Sequence, residues 1–256
     1  MRTSGFDLSR LRTQIKPFRL HWFPRLRSTN DHAAALRKRG ELFAPAMVLT
    51  GRQLAGRGRG SHTWWSGPGC LTVTFVIPIE EHLAPHQVPL LAGLAVRNAA
   101  AEIAQDQRVA LKWPNDVLYD GRKLAGLLCE RVHKADLVGL GLNVNLDPRK
   151  APAALRERIT SLASITGREF DMADALVAVA RHLRTTLLHR DERLFSHFLH
   201  EYDSHHALVG RRVSVINNGG PPATGKCEGL DSTGRLLLRD RNRTLHRIVA
   251  GQVQLL

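Results

Sequence analysis

At residue 207 the hydrophobic pattern of this 256-residue chain changes period, and that change constrains the fold more than any other feature. VGRRVSVI, GKCEGLD, GRLLLRD and HRIVAGQVQLL alternate apolar with polar residues and are separated by the turn formers NNGGPP, DSTG and RNR. Alternation commits one face of each short segment to a core, so residues 207–256 predict a small β-barrel. Upstream the pattern is mixed. VPLLAGLAVRNAAAEIA, MADALVAVARHLRTTLL and ERLFSHFLHEY carry apolar residues at helical spacing. Ser28-Thr29-Asn30-Asp31 offers capping residues before AAALRKRG, a helix closed by Gly40. PAMVLTG, CLTVTFVIP and ADLVGLGLNVNL predict strands, and VALKWPNDVLYDGRKLAGLLCERV predicts two strands around a tight turn at Tyr119-Asp120-Gly121. The expectation is an α/β (α+β) body over residues 1–206, opening with a basic arm over 1–20, and a barrel over 207–256.

Composition narrows the function classes. With 43% hydrophobic and 23% charged residues the chain buries a core rather than staying disordered. The basic N-terminus has no apolar run of signal-peptide length, and the longest uncharged run, residues 66–79, is broken by Gly and Pro and too short for a bilayer. Cys70, Cys129 and Cys227 are odd in number and form no C-x-x-C pair, which argues against a disulfide framework or zinc site and predicts a cytoplasmic protein. His82/His86 and His197/His200 have helix-compatible spacing but no third ligand, so no metal is expected on fixed protein ligands. The net charge of +14 sits at the ends: residues 1–40 hold ten Lys/Arg against two Asp/Glu, and 209–256 hold eight against three. No helix-turn-helix, zinc-finger or aromatic RNA-binding pattern accompanies it, so specific DNA binding is not expected. Basic ends equally steer an acidic partner or maintain solubility.

Four segments can carry chemistry. GRQLAGRGRGSHTWW, residues 51–65, sets Arg52, Arg57 and Arg59 among glycines, as an anion-holding loop would. It matches neither G-x-G-x-x-G nor the P-loop, and a basic surface turn is the plain alternative. In Lys112-Trp113-Pro114-Asn115-Asp116 a lysine at a strand end can aim its ammonium at a phosphate or carboxylate, or simply be solvated. Ser28-Thr29-Asn30 offers hydroxyls, an amide and free backbone N–H groups to a neutral polar ligand, or only caps a helix. GRKLAG at 121–126 and GLGLNVN at 139–145 place small residues on strands, leaving room for a flat ligand or for another backbone. Asp231 in GLDSTG reads as a turn former.

The order of these segments resembles a known family. STN, then Q-x-x-GRGR followed by Trp64, then KWPND, GRKLAG, GLGLNVN and a small barrel with GKCEGLDSTGRLLL is similar to the biotin–protein ligases, from about His21 to the C-terminus. The resemblance implies a catalytic domain related to class II aminoacyl-tRNA synthetases with a mixed sheet, plus an SH3-like C-terminal barrel. It implies a two-step reaction: ATP and biotin give biotinyl-adenylate and pyrophosphate, then a lysine of a biotin carboxyl carrier domain takes the biotinyl group and releases AMP. Mg²⁺ would accompany the triphosphate. Carried over by motif, Ser28, Thr29, Asn30 and Gln53 would hydrogen-bond the ureido ring, with Arg57, Gly58, Arg59, Lys112 and Gly126 also on biotin. Arg57, Arg59, Trp64, Lys112, Asn115 and Asn143 would meet ATP or the adenylate. Arg59 and Lys112 would be catalytic, and Asp116 would orient Lys112 or the incoming amine.

The resemblance implies the monofunctional kind, because the residues before His21 are too few for the DNA-binding domain some members carry. Gly60-Ser61-His62-Thr63 stands where relatives often have more basic residues. The chain is expected to be a monomer or homodimer with no membrane attachment. Rival readings are a lipoate or octanoate ligase on the same fold, and a non-catalytic biotin-responsive or nucleic-acid-binding protein.

Overall fold

The computed structural model describes residues 6–188, 195–216 and 221–256. The ERL of ERLFSHFLHEY and the NNGG of the NNGGPP turn lie outside the described residues, as do residues 1–5 of the basic arm.

The chain opens with α1 (Leu8–Gln14), β1 (Arg19–Phe23), α2 (Thr29–Lys38) and β2 (Ala46–Thr50). The glycine loop is a minimal hairpin, β3 (Gly56–Arg57) and β4 (Thr63–Trp64), and β5 (Cys70–Pro78) leads to α3 (Val88–Ala104). Then come β6 (Val109–Lys112), β7 (Asp116–Tyr119), β8 (Arg122–Val132) and β9 (Ala135–Asn143). Short helices α4 (Ala153–Arg156) and α5 (Leu162–Thr166) precede α6 (Met172–Leu187) and α7 (Ser196–Ser204). The chain ends in β10 (Arg212–Ile216), β11 (Ala223–Leu230), β12 (Leu236–Arg239), β13 (Leu245–Ile248) and β14 (Gln252–Leu255).

Seven strands form one mixed sheet in the order β1-β2-β5-β9-β8-β7-β6, with only β1 and β2 parallel. Side-chain alternation sorts its faces. Leu71, Val73, Phe75 and Ile77 of β5, with Val138, Leu140 and Leu142 of β9, enter the large core beneath α3 and α6. The opposite face turns Thr72, Thr74 and Val76 toward α2, whose Ala33 and Leu36 pack with Val48, Val76 and Leu137. Both faces are therefore covered, and β9 is buried along its whole length. Gly139 and Gly141 stand on the α2 face, and the candidate site lies there.

One expectation is corrected and one is filled in. Within the basic arm over residues 1–20 the chain is packed from Phe6 onward: Asp7 caps α1 through the Arg10 amide, and Leu11, Ile15 and Phe18 enter the core. An amphipathic turn can bury one face while its arginines stay in water, so charge density hid the helix. The KWPND segment is itself a hairpin turn, pairing Lys112 with Asp116, so the stretch forms three strands instead of two. Trp113, 2% exposed, is buried at that turn, and Pro114, with no N–H to give a ladder, stands outside both strands.

The last five strands make a second antiparallel sheet, ordered β13-β12-β11-β10-β14, the small SH3-like barrel. Residues 205–207 pair with β6 through Leu111 N to His205 O and Ala207 N to Leu111 O, both 2.8 Å. Asp231 does form a turn: its carboxylate accepts from the Thr233 and Arg235 amides at 2.9 and 3.0 Å. The strand carrying Lys112 is thus tied to the segment that enters the barrel.

Candidate functional site

A cavity of about 770 Å³ lies between the α2 face of the sheet, the glycine hairpin and the barrel. Its floor is the pair Gly126 and Gly141, opposed across β8 and β9, with Gly139 beyond. Side chains would obstruct it. A Cβ on Gly139 would lie 2.1 Å from Asn30 Oδ1, and one on Gly141 would lie 2.2 Å from the Trp64 ring.

One end of the cavity is neutral and polar. Ser28 caps α2, its hydroxyl accepting from Asp31 N at 3.3 Å, and Ser28, Thr29 and Asn30 are all buried. Behind them Thr74 donates to Asn30 Oδ1 at 2.6 Å and lies 2.9 Å from Thr29 Oγ1. The Asn30 amide donates to Leu128 O at 3.0 Å and Glu130 Oε2 at 2.8 Å. Gln53 accepts from Thr29 N at 3.0 Å and donates to Ser66 Oγ at 3.3 Å. Each amide is oriented by partners, so the well presents fixed donors and acceptors.

The other end is cationic. Lys112 and Asp116 face each other across the β6–β7 turn, and Lys123 from β8 reaches Asp116 with Nζ to Oδ1 of 2.6 Å. Burial pushes the Lys112 pKa down; Asp116 opposes that shift and Lys123 adds to it. The Lys123 ammonium also lies 5.4 Å from the centre of the Trp64 ring. Arg59 donates to Gly251 O at 3.2 Å and to Asn115 Oδ1 at 3.4 Å, and burial lowers its pKa against the pull of Asp116. Asn115 is itself anchored to Leu127 O at 2.6 Å.

The glycine loop closes over this space as a hairpin, with Gly56 opposite Trp64 and Gly58 N bonded to His62 O at 2.8 Å. Gly60, at φ +58°, takes the left-handed conformation its turn requires. Arg57 pairs with Asp31 of α2 and with Glu130 of β8, at 2.7 Å to the latter. The barrel supplies the remaining wall through Ile216 and residues 250–253, and His62 meets Gln252 at 3.3 Å.

The structure brings Ser28, Thr29, Asn30, Gln53, Arg57, Gly58, Arg59, Trp64, Lys112, Asn115, Asp116 and Gly126 around one cavity. Asn143 is not brought there. Its amide is 2% exposed and donates to Thr160 O at 2.9 Å and Lys123 O at 3.4 Å. It shares a face with Gly139 and Gly141, but the segment around residues 158–160 pairs with Lys123 and covers it. Trp64, expected to meet ATP or the adenylate, lies over Gly126 and Gly141 with its indole nitrogen buried. Reading by segment missed Lys123, Thr74, Glu130 and the barrel wall. The signal for Lys123 was its place two residues past the Asp120-Gly121 turn, which returns β8 alongside Asp116. Among the described residues no group of three or more His, Cys, Asp or Glu side chains could hold a metal ion. No described helix is long and apolar enough to cross a membrane.

A neutral well joined to a cationic end over a flat glycine floor suits a ligand with a polar uncharged head and anionic groups at its other end. Comparison with known proteins gives the same direction. The model of the biotin/lipoate A/B protein ligase family matches residues 22–147, and that of the biotin protein ligase C-terminal domain matches residues 208–256. The chain belongs to the biotin/lipoate A/B protein ligase family and, within it, to the biotin protein ligases. It is 30% identical to the biotin–[acetyl-CoA-carboxylase] ligase of Paracoccus denitrificans, over 83% of this chain and 92% of that one. It is also 30% identical to the bifunctional ligase/repressor BirA of Bacillus subtilis, over 96% of this chain and 76% of the relative. Among solved structures, biotin protein ligase from Aquifex aeolicus in complex with biotin and ATP superposes with a TM-score of 0.82 at 30% identity, covering 93% of this chain and 98% of that one.

Proposed function

We propose that the chain activates biotin with ATP and transfers it to a lysine of a biotin carboxyl carrier domain. The observation that carries this reading is the junction of the oriented well at Thr29, Asn30 and Gln53 with the Lys112, Lys123 and Arg59 end of the same cavity. A ureido ring is neutral and needs directional partners, which the well supplies. A carboxylate and a triphosphate repel each other, and cations at the junction offset that repulsion.

In the first step a biotin carboxylate oxygen bonds to the α-phosphorus, the bond to the β-phosphate oxygen breaks, and pyrophosphate leaves. Lys112, Lys123 and Arg59 hold the developing charge, while Asp116 keeps Lys123 beside Lys112. In the second step the acceptor lysine, as free amine, attacks the adenylate carbonyl; the C–O bond to AMP breaks and the amine loses a proton. Trp64 and the hairpin keep water from the mixed anhydride. The lining carboxylate, Asp116, is taken by Lys123, so Mg²⁺ would come with the triphosphate as part of the substrate, and no resident metal site is invoked. We divide the chain at residue 207, the catalytic part before it and the barrel after, and place the protein in the cytoplasm, where ATP and free cysteines both fit.

The deciding experiment is biotin-dependent exchange of labelled pyrophosphate into ATP by the purified protein. Exchange with biotin and not with lipoate supports the reading. Exchange with lipoate alone makes it a lipoate ligase, and no exchange with either removes the activity.

A further inference from the structure

Glu130 is absent from the cavity lining, yet both of its carboxylate oxygens are committed to groups that line it. It sits on β8 opposite Leu137, on the face covered by α2, with 30% of its side chain exposed. Oε2 accepts from Asn30 Nδ2 at 2.8 Å, and Oε1 accepts from Arg57 Nη2 at 2.7 Å. Asn30 belongs to the neutral well and Arg57 to the hairpin above it. Among the described residues no other carboxylate bonds both: Asp31 pairs with Arg57 but makes no side-chain bond to Asn30.

These contacts depend on one another. The Asn30 amide is 3% exposed, its nitrogen shared between Leu128 O and Glu130 and its oxygen accepting from Thr74. That arrangement keeps the carbonyl end over Gly139. A carboxylate stays against a buried amide only while its charge is compensated, and Arg57 is the compensating cation. Without Arg57 the carboxylate gains by turning to water, and the amide loses the acceptor that fixes its direction. Without Glu130 the guanidinium keeps only Asp31, which is half exposed.

We propose that Glu130 is a positioning residue that couples the biotin well to the glycine hairpin by holding Asn30 and Arg57 with one carboxylate. The proposal rests on the reading of the cavity as a biotin and ATP site.

Its test is a set of double-mutant cycles read as the biotin KM in pyrophosphate exchange, with biotin affinity measured directly by calorimetry. Arg57→Ala is expected to raise the biotin KM about tenfold and to weaken biotin binding in the calorimeter by a similar factor. Combined with Asn30→Ala it adds less than about twofold, because both substitutions break one linkage. In a Glu130→Ala background Arg57→Ala raises the biotin KM by less than about threefold, the remainder being the guanidinium's own place in the cavity lining. Glu130→Gln keeps the size and removes the charge, and serves as a second background with the same expectation if the alanine variant does not fold. Additive effects of the Asn30 and Arg57 substitutions overturn the coupling, as does an Arg57→Ala effect that persists undiminished without Glu130. Wild-type protein that neither binds biotin nor exchanges pyrophosphate overturns the site reading itself. Exchange with additive cycles overturns only the role of Glu130.

Discussion

The floor and the roof of the cavity are held by different forces. The floor is β8 and β9, paired over eight residues, with every residue of β9 buried and glycines opposed at Gly126 and Gly141. Backbone ladders and packing on both faces fix it, and neither depends on ionic strength. The roof is a hairpin of two-residue strands, held down by Arg57 and Arg59 through side-chain bonds to α2, β8, Asn115 and the barrel. Half-exposed ion pairs contribute from nothing to about 1 kcal/mol each. The contrast separates two jobs: a rigid template that decides what fits, and a cover whose opening costs little.

Substitutions in the two regions should therefore fail differently. The largest effect is expected beside the floor at Lys112→Ala, which should slow single-turnover adenylate formation by about 10²- to 10³-fold. An unchanged rate would remove Lys112 from the chemistry. Gly139→Ala comes next. Its Cβ would meet Asn30 Oδ1, which Thr74 backs, so about 1–3 kcal/mol of stability in a denaturant titration should go, with a raised biotin KM. In the roof, Arg59→Ala gives up bonds to Gly251 O and Asn115 and should release adenylate up to about tenfold faster with stability changed by less than about 0.5 kcal/mol. Equal stability losses in the Gly139 and Arg59 variants would dissolve the distinction between floor and roof.

The smallest effect concerns pH. Lys112 has a pKa below that of a free lysine because burial disfavours its charge. Its cationic form is present at low pH and is lost as pH rises through that lowered value. The alkaline decline of adenylation should accordingly begin below the ordinary lysine range, and Lys112→Arg should move it upward. A decline at the same pH in both proteins would assign it to another group.

What could be read from residues alone follows the same division. The strands of the floor announced themselves through runs of apolar residues, and the glycines within them marked where a ligand approaches. Segments such as STN, GRGR and KWPND are contiguous, so their groups could be named before any fold was known. Lys123, Thr74 and Glu130 come into play only by register: each is brought to its partner by a neighbouring strand or by α2, and nothing local distinguishes them. Asn143 shows the converse. Alternation put it on the face of Gly139 and Gly141, but the covering segment at residues 158–160 lies too far along the chain to foresee.

The position of Trp64 has one more consequence. Its buried indole rests on bare glycine backbone, next to the Lys123 ammonium. A molecule settling on that floor must change what surrounds the ring. The protein thus carries its own optical reporter: occupancy should register as a change in tryptophan emission that Trp64→Phe abolishes, with no label attached.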